Sequence, residues 1–462
     1  MERVVVVIDP TQLPDYATSL IDVYRRQWGV RSVLLYPLGT PRAHIAQAET
    51  MIDRRAVAGR FWIDLQDLPC AAEGLRVTFQ VLGVVPHFEG VVIDSGRLAE
   101  LLGLSWVPMD VLSRFRDKYS LKQHLRSQPE GPRINASRRV STLADVRAFI
   151  GDHALSRIVV KPNDGMGNSR IAFFDRDAPD ADIAAYLQRN AGTPLVAEEY
   201  IGGREFCVNG QVDGAGVVHT LSVQRTVYGS GNGRDNLAAS IRMIHHDTDD
   251  FAMAARYASE VLTCAGLVRS PFHMEIKIDD RGPCLIEVAA RLGGAGIPWD
   301  TALAHDGAVD LYKLAAQYYA NLPGEPPAPD WPAYDGHTVW TVFGIATQTC
   351  RIRRLVGVRD VEAIPEFAYW VVRPRLGQAV RPTIDVATIP WQATICSPAA
   401  DLSETEARLR RTISWNPPAG GLSRTAQSTQ AFTAWVGRHV RLLPALARSP
   451  RRLGIRGRGR GT

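Results

Sequence analysis

The sequence predicts an α/β protein that begins with an open parallel sheet and continues into an α+β region. Three observations support this fold class. Apolar runs alternate with helical patterns over residues 1–112, as in parallel sheets whose strands are buried on both faces. A strand carrying a lysine then enters a loop of small residues, and a hairpin with one glutamate on each strand follows around residue 280. The 462 residues leave room for two or three domains.

The first domain is predicted over residues 1–112. Val4–Ile8 and Arg31–Tyr36 are apolar strands separated by a helical pattern at Pro14–Trp28, and Phe61–Ile63 and Val81–Val85 are further strands. This order is typical of βαβ units. Because no GxGxxG follows the first strand, the sequence does not support dinucleotide binding.

Glu89 lies where the last of these strands passes into a helix. Ligand contacts in open parallel sheets cluster at such strand ends, which makes Glu89 a candidate site residue. A structural role is equally consistent with the sequence, because a negative charge interacts favourably with the positive end of a helix dipole.

The second region opens with a basic helix that places Lys118 and Lys122 four residues apart on one face. A strand then ends at Lys161 and runs into a loop of small residues. Such residues let backbone N–H groups approach phosphate oxygens, while the lysine supplies positive charge. The candidate phosphate-binding residues of this loop are Gly165, Gly167 and Ser169. The pattern is not GxxxxGK[ST] and no helix follows at once, which excludes a P-loop NTPase.

Two segments downstream add candidates. Leu195–Val208 is a strand, a break and a second strand, and glutamates at the break, including Glu198, are placed to accept hydrogen bonds from an adenine amine and ribose hydroxyls. Tyr228–Arg234 contains three glycines and an arginine. It is predicted to be either a plain loop or a lid that closes over phosphates.

The segment from His273 to Gly294 contains two apolar runs separated by Asp-Asp-Arg-Gly, which predicts a β-hairpin. Folding at this turn brings Glu275 and Glu287 close to opposite each other. Adjacent carboxylates repel unless a cation lies between them, and Mg²⁺ commonly takes one or two carboxylates together with phosphate oxygens. A surface hairpin with outward polar residues is the competing interpretation.

The composition, with 45% hydrophobic and 22% charged residues, is that of a soluble globular protein. A net charge of +5 is modest for this length, so no nucleic-acid partner is expected. The six cysteines are scattered without a CxxC pair, and no apolar run is long enough to cross a membrane. We therefore expect a cytoplasmic protein with reduced thiols and no membrane partner.

In order and approximate spacing, these blocks resemble the ATP-grasp superfamily over about residues 80–415. The blocks are an Asp-Lys helix, a Lys-Pro glycine loop, a Glu-Glu-Tyr-Ile hinge, a Gly-x-Glu strand and the glutamate hairpin followed by arginine. Within the superfamily, the sequence resembles the L-amino-acid ligases that make dipeptides, whose hairpin reads much like the His-x-Glu-Ile-Lys and Ile-Glu-x-Ala-Ala-Arg found here. The resemblance implies an ATP-grasp fold behind the open parallel-sheet domain.

The resemblance also implies a nucleotide site. Lys118 and Lys161 would hold the ATP phosphates, and the glycine loop would cover them. The adenine would bind at Glu198 and at the backbone of Tyr200 and Ile201, and the ribose at Glu205.

The remaining implied roles concern the metal and the substrates. Glu275 and Glu287 would bind Mg²⁺, with Mn²⁺ as an alternative, and Arg291 would stabilise an acyl phosphate and a tetrahedral oxyanion. Glu89 would lie near the amino-acid pocket. The proton of the attacking amine would pass to Glu89, to His273 or to the released phosphate.

Two positions depart from the family pattern. Ala289 stands where many ATP-grasp enzymes have asparagine two residues after the second metal glutamate, but the dipeptide ligases share a small residue there. Gly293-Gly294-Ala295 stands where some of those ligases carry a bulky aromatic that walls the substrate pocket. The missing wall implies room for a larger first substrate.

The implied activity is ATP-dependent amide formation between an amino acid, or another carboxylic acid, and an amine. It would proceed through an acyl phosphate and release ADP and phosphate. Alternatives are an ATP-grasp carboxylase, a purine-pathway-type ligase, and a non-catalytic nucleotide-binding protein. The expected partners are small molecules, and a homodimer is possible.

The predicted domain boundaries are 1–112 for the first domain, 113–192 for the small ATP-grasp subdomain, and 193–415 for the large one. The last includes a C-terminal subdomain from about residue 335. Residues 416–462 are predicted to form a helix that docks on the body or on a second subunit, followed by a basic, disordered tail without acidic residues from Arg448.

Overall fold

The structure is a computed structural model that describes residues 1–165, 167, 170–398 and 401–415. The predictions for Ser169 and for residues 416–462 lie outside these residues.

The amino-terminal domain alternates strands and helices, as the sequence predicted. Its elements are β1 (Glu2–Ile8), α1 (Pro14–Trp28), β2 (Arg31–Pro37), α2 (Arg42–Glu49), β3 (Val57–Ile63), α3 (Leu68–Thr78), β4 (Phe79–Val85), α4 (Val92–Leu101) and α5 (Met109–Arg116). The strands form a parallel sheet in the order β3-β2-β1-β4. Val4–Ile8 is wholly buried, which explains its unbroken run of apolar residues.

The next subdomain packs helices against a small antiparallel sheet. Its elements are α6 (Lys118–Arg126), β5 (Ser137–Val140), α7 (Leu143–Asp152), β6 (Arg157–Pro162), β7 (Ala172–Asp175), α8 (Asp180–Arg189) and β8 (Leu195–Glu199). The sheet order is β5-β8-β6-β7. Because β8 lies inside this sheet, between β5 and β6, the subdomain extends to Glu199 and the predicted boundary at residue 192 is too early.

The large subdomain is built on an extended sheet. Its elements are β9 (Arg204–Val212), β10 (Val218–Gly231), β11 (Arg234–Met243), α9 (Asp249–Ala265), β12 (Ser270–Asp279), β13 (Gly282–Ala289), α10 (Ile297–Ala304), α11 (Leu311–Tyr319), α12 (Trp331–Gly336), β14 (Thr338–Phe343), β15 (Cys350–Arg351), β16 (Leu355–Val356), α13 (Val358–Glu362), β17 (Phe367–Val372), β18 (Ala379–Val380), β19 (Gln392–Ser397), α14 (Ser403–Thr412) and β20 (Ser414–Trp415). The sheet order is β13-β12-β9-β10-β11-β14-β19-β17. The predicted C-terminal subdomain therefore continues the large sheet through β14, β19 and β17.

Tyr228–Arg234, predicted to be a loop or lid, is the tip of the β10–β11 hairpin. Asn232 and Gly233 form its turn with φ values of 54° and 74°. The Asn-Gly pair is a strong hairpin signal because both residues tolerate positive φ. The Asn232 amide also donates to the carbonyls of Ala346 and Thr383, at 2.8 and 2.9 Å. This tip is therefore tied to the C-terminal subdomain.

The amino-terminal domain packs against α11. The Tyr24 hydroxyl donates to Ala316 O at 2.9 Å, and Gly83 lies so close that an added Cβ would be 2.4 Å from Tyr319 O. In the same region, Glu89, which follows β4, accepts Arg291 Nε from the segment after β13.

The six cysteines are unpaired, which confirms the prediction of free thiols. Among the described residues, no helix combines the length and apolar character required to cross a bilayer.

Candidate active site

Two carboxylates face each other on the β12–β13 hairpin. Glu275 and Glu287 are direct partners in the strand register, which confirms the predicted geometry. Lys118 Nζ lies 3.2 Å from Glu287 Oε1, and His273 Nε2 lies 3.5 Å from Glu275 Oε1. Burial alone would raise the pKa of Glu275, but His273 and the lysines Lys161 and Lys118 hold it below its ordinary value. A pair of opposed carboxylates is a hard-oxygen donor set, which fits Mg²⁺.

Glu198 is buried between two lysines. Its Oε2 lies 2.7 Å from Lys122 Nζ and 3.0 Å from Lys161 Nζ. Despite the opposing effect of burial, the two lysines lower the pKa of Glu198 to about 2. Glu198 Oε1 is also buried and accepts no hydrogen bond from the described residues. One oxygen of this carboxylate is thus available to a ligand.

The loop after β6 is fixed to the start of α6. Asn163 accepts the backbone N–H of Lys118 with its carbonyl and that of Tyr119 with Oδ1. Lys118 Nζ donates to Gly165 O at 2.7 Å. Gly167 has a φ of 66°, which glycine adopts readily. Lys118 therefore contacts both the loop and the metal-binding candidate Glu287.

The predicted adenine hinge follows β8. The Tyr200 N–H already donates to Arg157 O at 3.2 Å, so a base would have to use the Tyr200 carbonyl and the Ile201 N–H. The Tyr200 ring lies beneath two cations, with Lys277 Nζ 5.0 Å and Arg157 Cζ 4.8 Å from its centroid.

Glu205 lies on β9 beside the hairpin. It accepts the hydroxyl of Tyr228, and its Oε2 lies 3.8 Å from Lys277 Nζ. Burial and the nearby charge of Glu275 raise the pKa of Glu205 to about 7. This carboxyl therefore titrates near neutral pH.

Glu89 joins two arginines. Its Oε1 lies 3.0 Å from Arg116 Nη1, and its Oε2 accepts Arg291 Nε. Burial alone would raise the pKa of Glu89, but Arg291 and Arg116 outweigh it and keep the pKa below its ordinary value. Arg116 Nη2 also donates to Asp164 O at 2.9 Å. Glu89 is thus an ionised anchor with both oxygens engaged, which makes it a poor proton acceptor.

A hydrogen bond to Asn209 orients the His273 ring. Its Nδ1 lies 2.7 Å from Asn209 Oδ1, and the Asn209 amide donates to Gln224 Oε1 at 2.7 Å. Because Asn209 Oδ1 is an acceptor, Nδ1 carries the proton and Nε2 faces Glu275. A Cβ at Gly293 would lie 2.8 Å from Asn209 Oδ1 and 2.9 Å from His273 Nδ1. Only glycine fits there without displacing them.

The segment after Arg291 leaves an opening. A Cβ at Gly294 would have no heavy atom within 4 Å, and the neighbouring Gly293 O accepts the Tyr16 hydroxyl at 2.9 Å. Gly294 therefore borders open space, and the room for a larger first substrate stays a prediction.

The structure brings most of the predicted residues together. Ion pairs, hydrogen bonds or strand register link Glu89 with Arg291, Lys118 with Gly165 and Glu287, Lys161 with Glu198, His273 with Glu275, and Glu275 with Glu287. Gly167 lies in the loop, Tyr200 and Ile201 at the hinge, and Glu205 pairs with Lys277 on β12.

The sequence did not assign Lys122, Arg116, Asn163 or Asn209. Lys122 carried a usable signal, its spacing of four residues from Lys118. The other three act through contacts between distant segments, which local patterns do not reveal.

Part of the chain is similar in sequence to known proteins. Residues 158–299 match the ATP-grasp domain. The chain is 26% identical over 248 residues to dapdiamide A synthase from Enterobacter agglomerans, and this match spans 51% of the chain and only 56% of that protein.

Solved structures share the fold over most of the chain. L-amino acid ligase from Bacillus licheniformis superposes with a TM-score of 0.71 at 18% identity, covering 90% of this chain and 99% of that one. The biotin carboxylase domain dimer of 2-oxoglutarate carboxylase from Hydrogenobacter thermophilus, solved with magnesium ADP and bicarbonate, gives 0.64 at 14% identity, covering 89% and 90%.

Proposed function

The chain carries an ATP-grasp domain within an ATP-grasp fold, and on this premise we propose that it is a carboxylate–amine ligase. It would join an amino acid, or another carboxylic acid, to an amine and release ADP and phosphate. The observation that carries the proposal is the opposed pair Glu275 and Glu287, with Lys118 Nζ 3.2 Å from Glu287. A carboxylate pair beside Lys118, which also contacts the glycine loop, is a donor set that suits Mg²⁺ bound together with nucleotide phosphates.

In this proposal the nucleotide lies between the two subdomains. Lys118 and Lys161 bind the phosphates, Glu198 Oε1 accepts the adenine amine, and Glu205 accepts ribose hydroxyls. Glu275 and Glu287 would hold Mg²⁺, or Mn²⁺ in its place. When bound, the ion would neutralise charge that develops on the phosphoryl oxygens.

The carboxylic acid substrate attacks the γ-phosphate, and the amine then attacks the resulting acyl phosphate. Arg291 stabilises the developing oxyanion, and Glu89 holds its guanidinium in place. Of the two side chains considered as proton acceptor, Glu89 has both oxygens bound to arginines, whereas His273 Nε2 lies 3.5 Å from Glu275 Oε1 and could accept a proton only while the ring is neutral. The released phosphate is the remaining acceptor.

The test is phosphate release from ATP and Mg²⁺ across a panel of single amino acids and pairs. We expect release that requires one particular pair and yields ADP. Production of AMP and pyrophosphate would contradict the acyl-phosphate route. Release that depends on bicarbonate would favour the carboxylase alternative, and a protein that binds ATP without turnover on any acid would favour a non-catalytic role.

A further inference from the structure

Lys122 is a buried cation that the proposed reaction does not use. It lies on α6 one helical turn after Lys118 and is 1% exposed. Lys118 turns towards Gly165 and Glu287, whereas Lys122 Nζ donates to Glu198 Oε2 at 2.7 Å and to Asn135 Oδ1 at 2.9 Å. An isolated lysine would not be buried at such depth, so this position is held by its partners.

Asn135 fixes the orientation of this contact. Its amide donates to the Glu199 carbonyl at 2.9 Å and lies 3.4 Å from Glu198 Oε2. The side-chain oxygen of Asn135 is therefore the atom presented to Lys122. All polar contacts of Glu198 then converge on Oε2, and Oε1 is left without a partner among the described residues.

The three charged groups carry a surplus of one positive charge, since two lysines share one carboxylate. Burial lowers the pKa of Lys161, but Glu198, Glu287 and Glu275 raise it above its ordinary value, which places it within the field of the metal-binding pair. The pKa of Lys122 depends instead on burial and on the charges of Glu198, Lys161 and Cys284.

We propose that Lys122 is a positioning residue for ATP: it neutralises Glu198, so that Lys161 can leave that carboxylate for the phosphates. This inference rests on the proposed function. Without Lys122, Lys161 would be the main counter-ion of a buried carboxylate. Separating such a pair is costly, so Lys161 would stay on Glu198 rather than bind phosphate.

The charge state of Lys122 is compatible with this role. Burial, together with Lys161, lowers the pKa of Lys122 to about 8, while Glu198 opposes the decrease. Lys122 therefore carries its proton at neutral pH.

The test compares binding of ATP and of AMP to the full chain by calorimetry. In Lys122→Met we expect ATP affinity to fall by about tenfold or more, as when a buried charge loses its partner. The affinity for AMP should change much less, since AMP lacks the β- and γ-phosphates. Lys313→Met, which replaces an exposed lysine on α11, is the matched control and should bind ATP like the wild type.

A double variant separates this role from simple structural damage. In Lys122→Met/Glu198→Gln the carboxylate no longer needs a counter-ion, while the amide oxygen can still accept from adenine. We expect its ATP affinity to recover above that of Lys122→Met and to match that of Glu198→Gln. If Lys122→Met does not fold, the ATP affinities of Lys122→Met/Glu198→Gln and Glu198→Gln still test the inference.

An unchanged ATP affinity in Lys122→Met would overturn the inference, and so would an equally large loss when Lys122 is replaced in the Glu198→Gln background. Neither result would affect the proposed function. Failure of the wild type to bind ATP would instead overturn the proposed function, and this inference with it.

Discussion

Glu198 and Glu89 are both buried carboxylates between two cations, but the cations differ. Two lysines meet on one oxygen of Glu198 and leave the other without a partner. Two arginines take separate oxygens of Glu89 and leave neither. A lysine is a point charge that can lose its proton, whereas an arginine is a fixed fork that stays charged. The difference suggests that the lysine-held carboxylate can bind ligand and exchange partners, while the arginine-held one only positions Arg291.

The largest expected effect lies at Glu275 and Glu287, the proposed metal ligands. Glu287→Gln removes one of two opposed carboxylates and the partner of Lys118, so turnover should fall by at least about 100-fold. The fold should persist because the side chain is 31% exposed. Phosphate release and thermal unfolding measure the two effects, with Glu100→Gln on the exposed face of α4 as control. A fully active Glu287→Gln protein would contradict the metal assignment.

Glu89→Gln tests the carboxylate that is held by two arginines. It leaves Arg291 and Arg116 near each other without an anion, and neither can lose its proton. We expect a loss of about 3 kcal/mol in the free energy of unfolding, as when one member of a buried pair is removed. Urea denaturation measures this loss. A stable variant that loses activity, together with the acidic limb of its pH–rate profile, would indicate instead that Glu89 is a general base.

Glu198→Gln should destabilise less, by about 1–2 kcal/mol, because its lysines can lose a proton instead of remaining charged and unpaired. The folded-state pKa of Lys122, already about 8 in the wild type, should fall further in this variant. Between that pKa and the unfolded value the unfolded chain binds more protons, so the stability of the variant should rise with pH. Denaturation at about pH 7 and about pH 9 measures this. Equal losses for Glu89→Gln and Glu198→Gln would remove the distinction between the two sites.

The smallest expected effect concerns Glu205. Its pKa is raised to about 7, so the carboxylate becomes the better acceptor for ribose hydroxyls as pH rises through that value. Adenosine affinity should then increase by about fivefold, which corresponds to about 1 kcal/mol for a hydrogen bond to a charged acceptor. Calorimetry over this range measures it. In Glu205→Gln the affinity should not depend on pH here, and a wild type without this increase would exclude Glu205 from the ribose contact.

The hairpin could be predicted because it follows from local rules: side chains alternate along a strand, and the Asp-Asp-Arg-Gly turn fixes the pairing next to it. The direct pairing of Glu275 with Glu287 also depends on a bulge between Glu275 and Ile276, without which Glu275 would lie opposite Ile286. The buried strand at Val4–Ile8 could also be predicted, from its unbroken run of apolar residues. The Asn232-Gly233 turn followed the same local rules but was interpreted as part of a loop or lid.

The partners of these residues could not be predicted in the same way. Glu89 and Arg291 lie 202 positions apart, and Lys122 and Glu198 lie 76 apart. Which cation reaches which oxygen depends on how the subdomains pack, and no periodicity encodes it. The role of Glu89 consequently stayed open between ligand contact and helix charge, and its two arginines became visible only in three dimensions.

Gly293 and Gly294 differ in whether a larger side chain can replace the glycine. Any side chain at position 293 would push into Asn209 and His273, whereas position 294 borders open space. Across related chains, position 293 should therefore remain glycine through changes of substrate, while position 294 varies with the size of the acid that is joined. Duplicated genes could thus diverge in specificity by a single codon change that leaves His273 undisturbed.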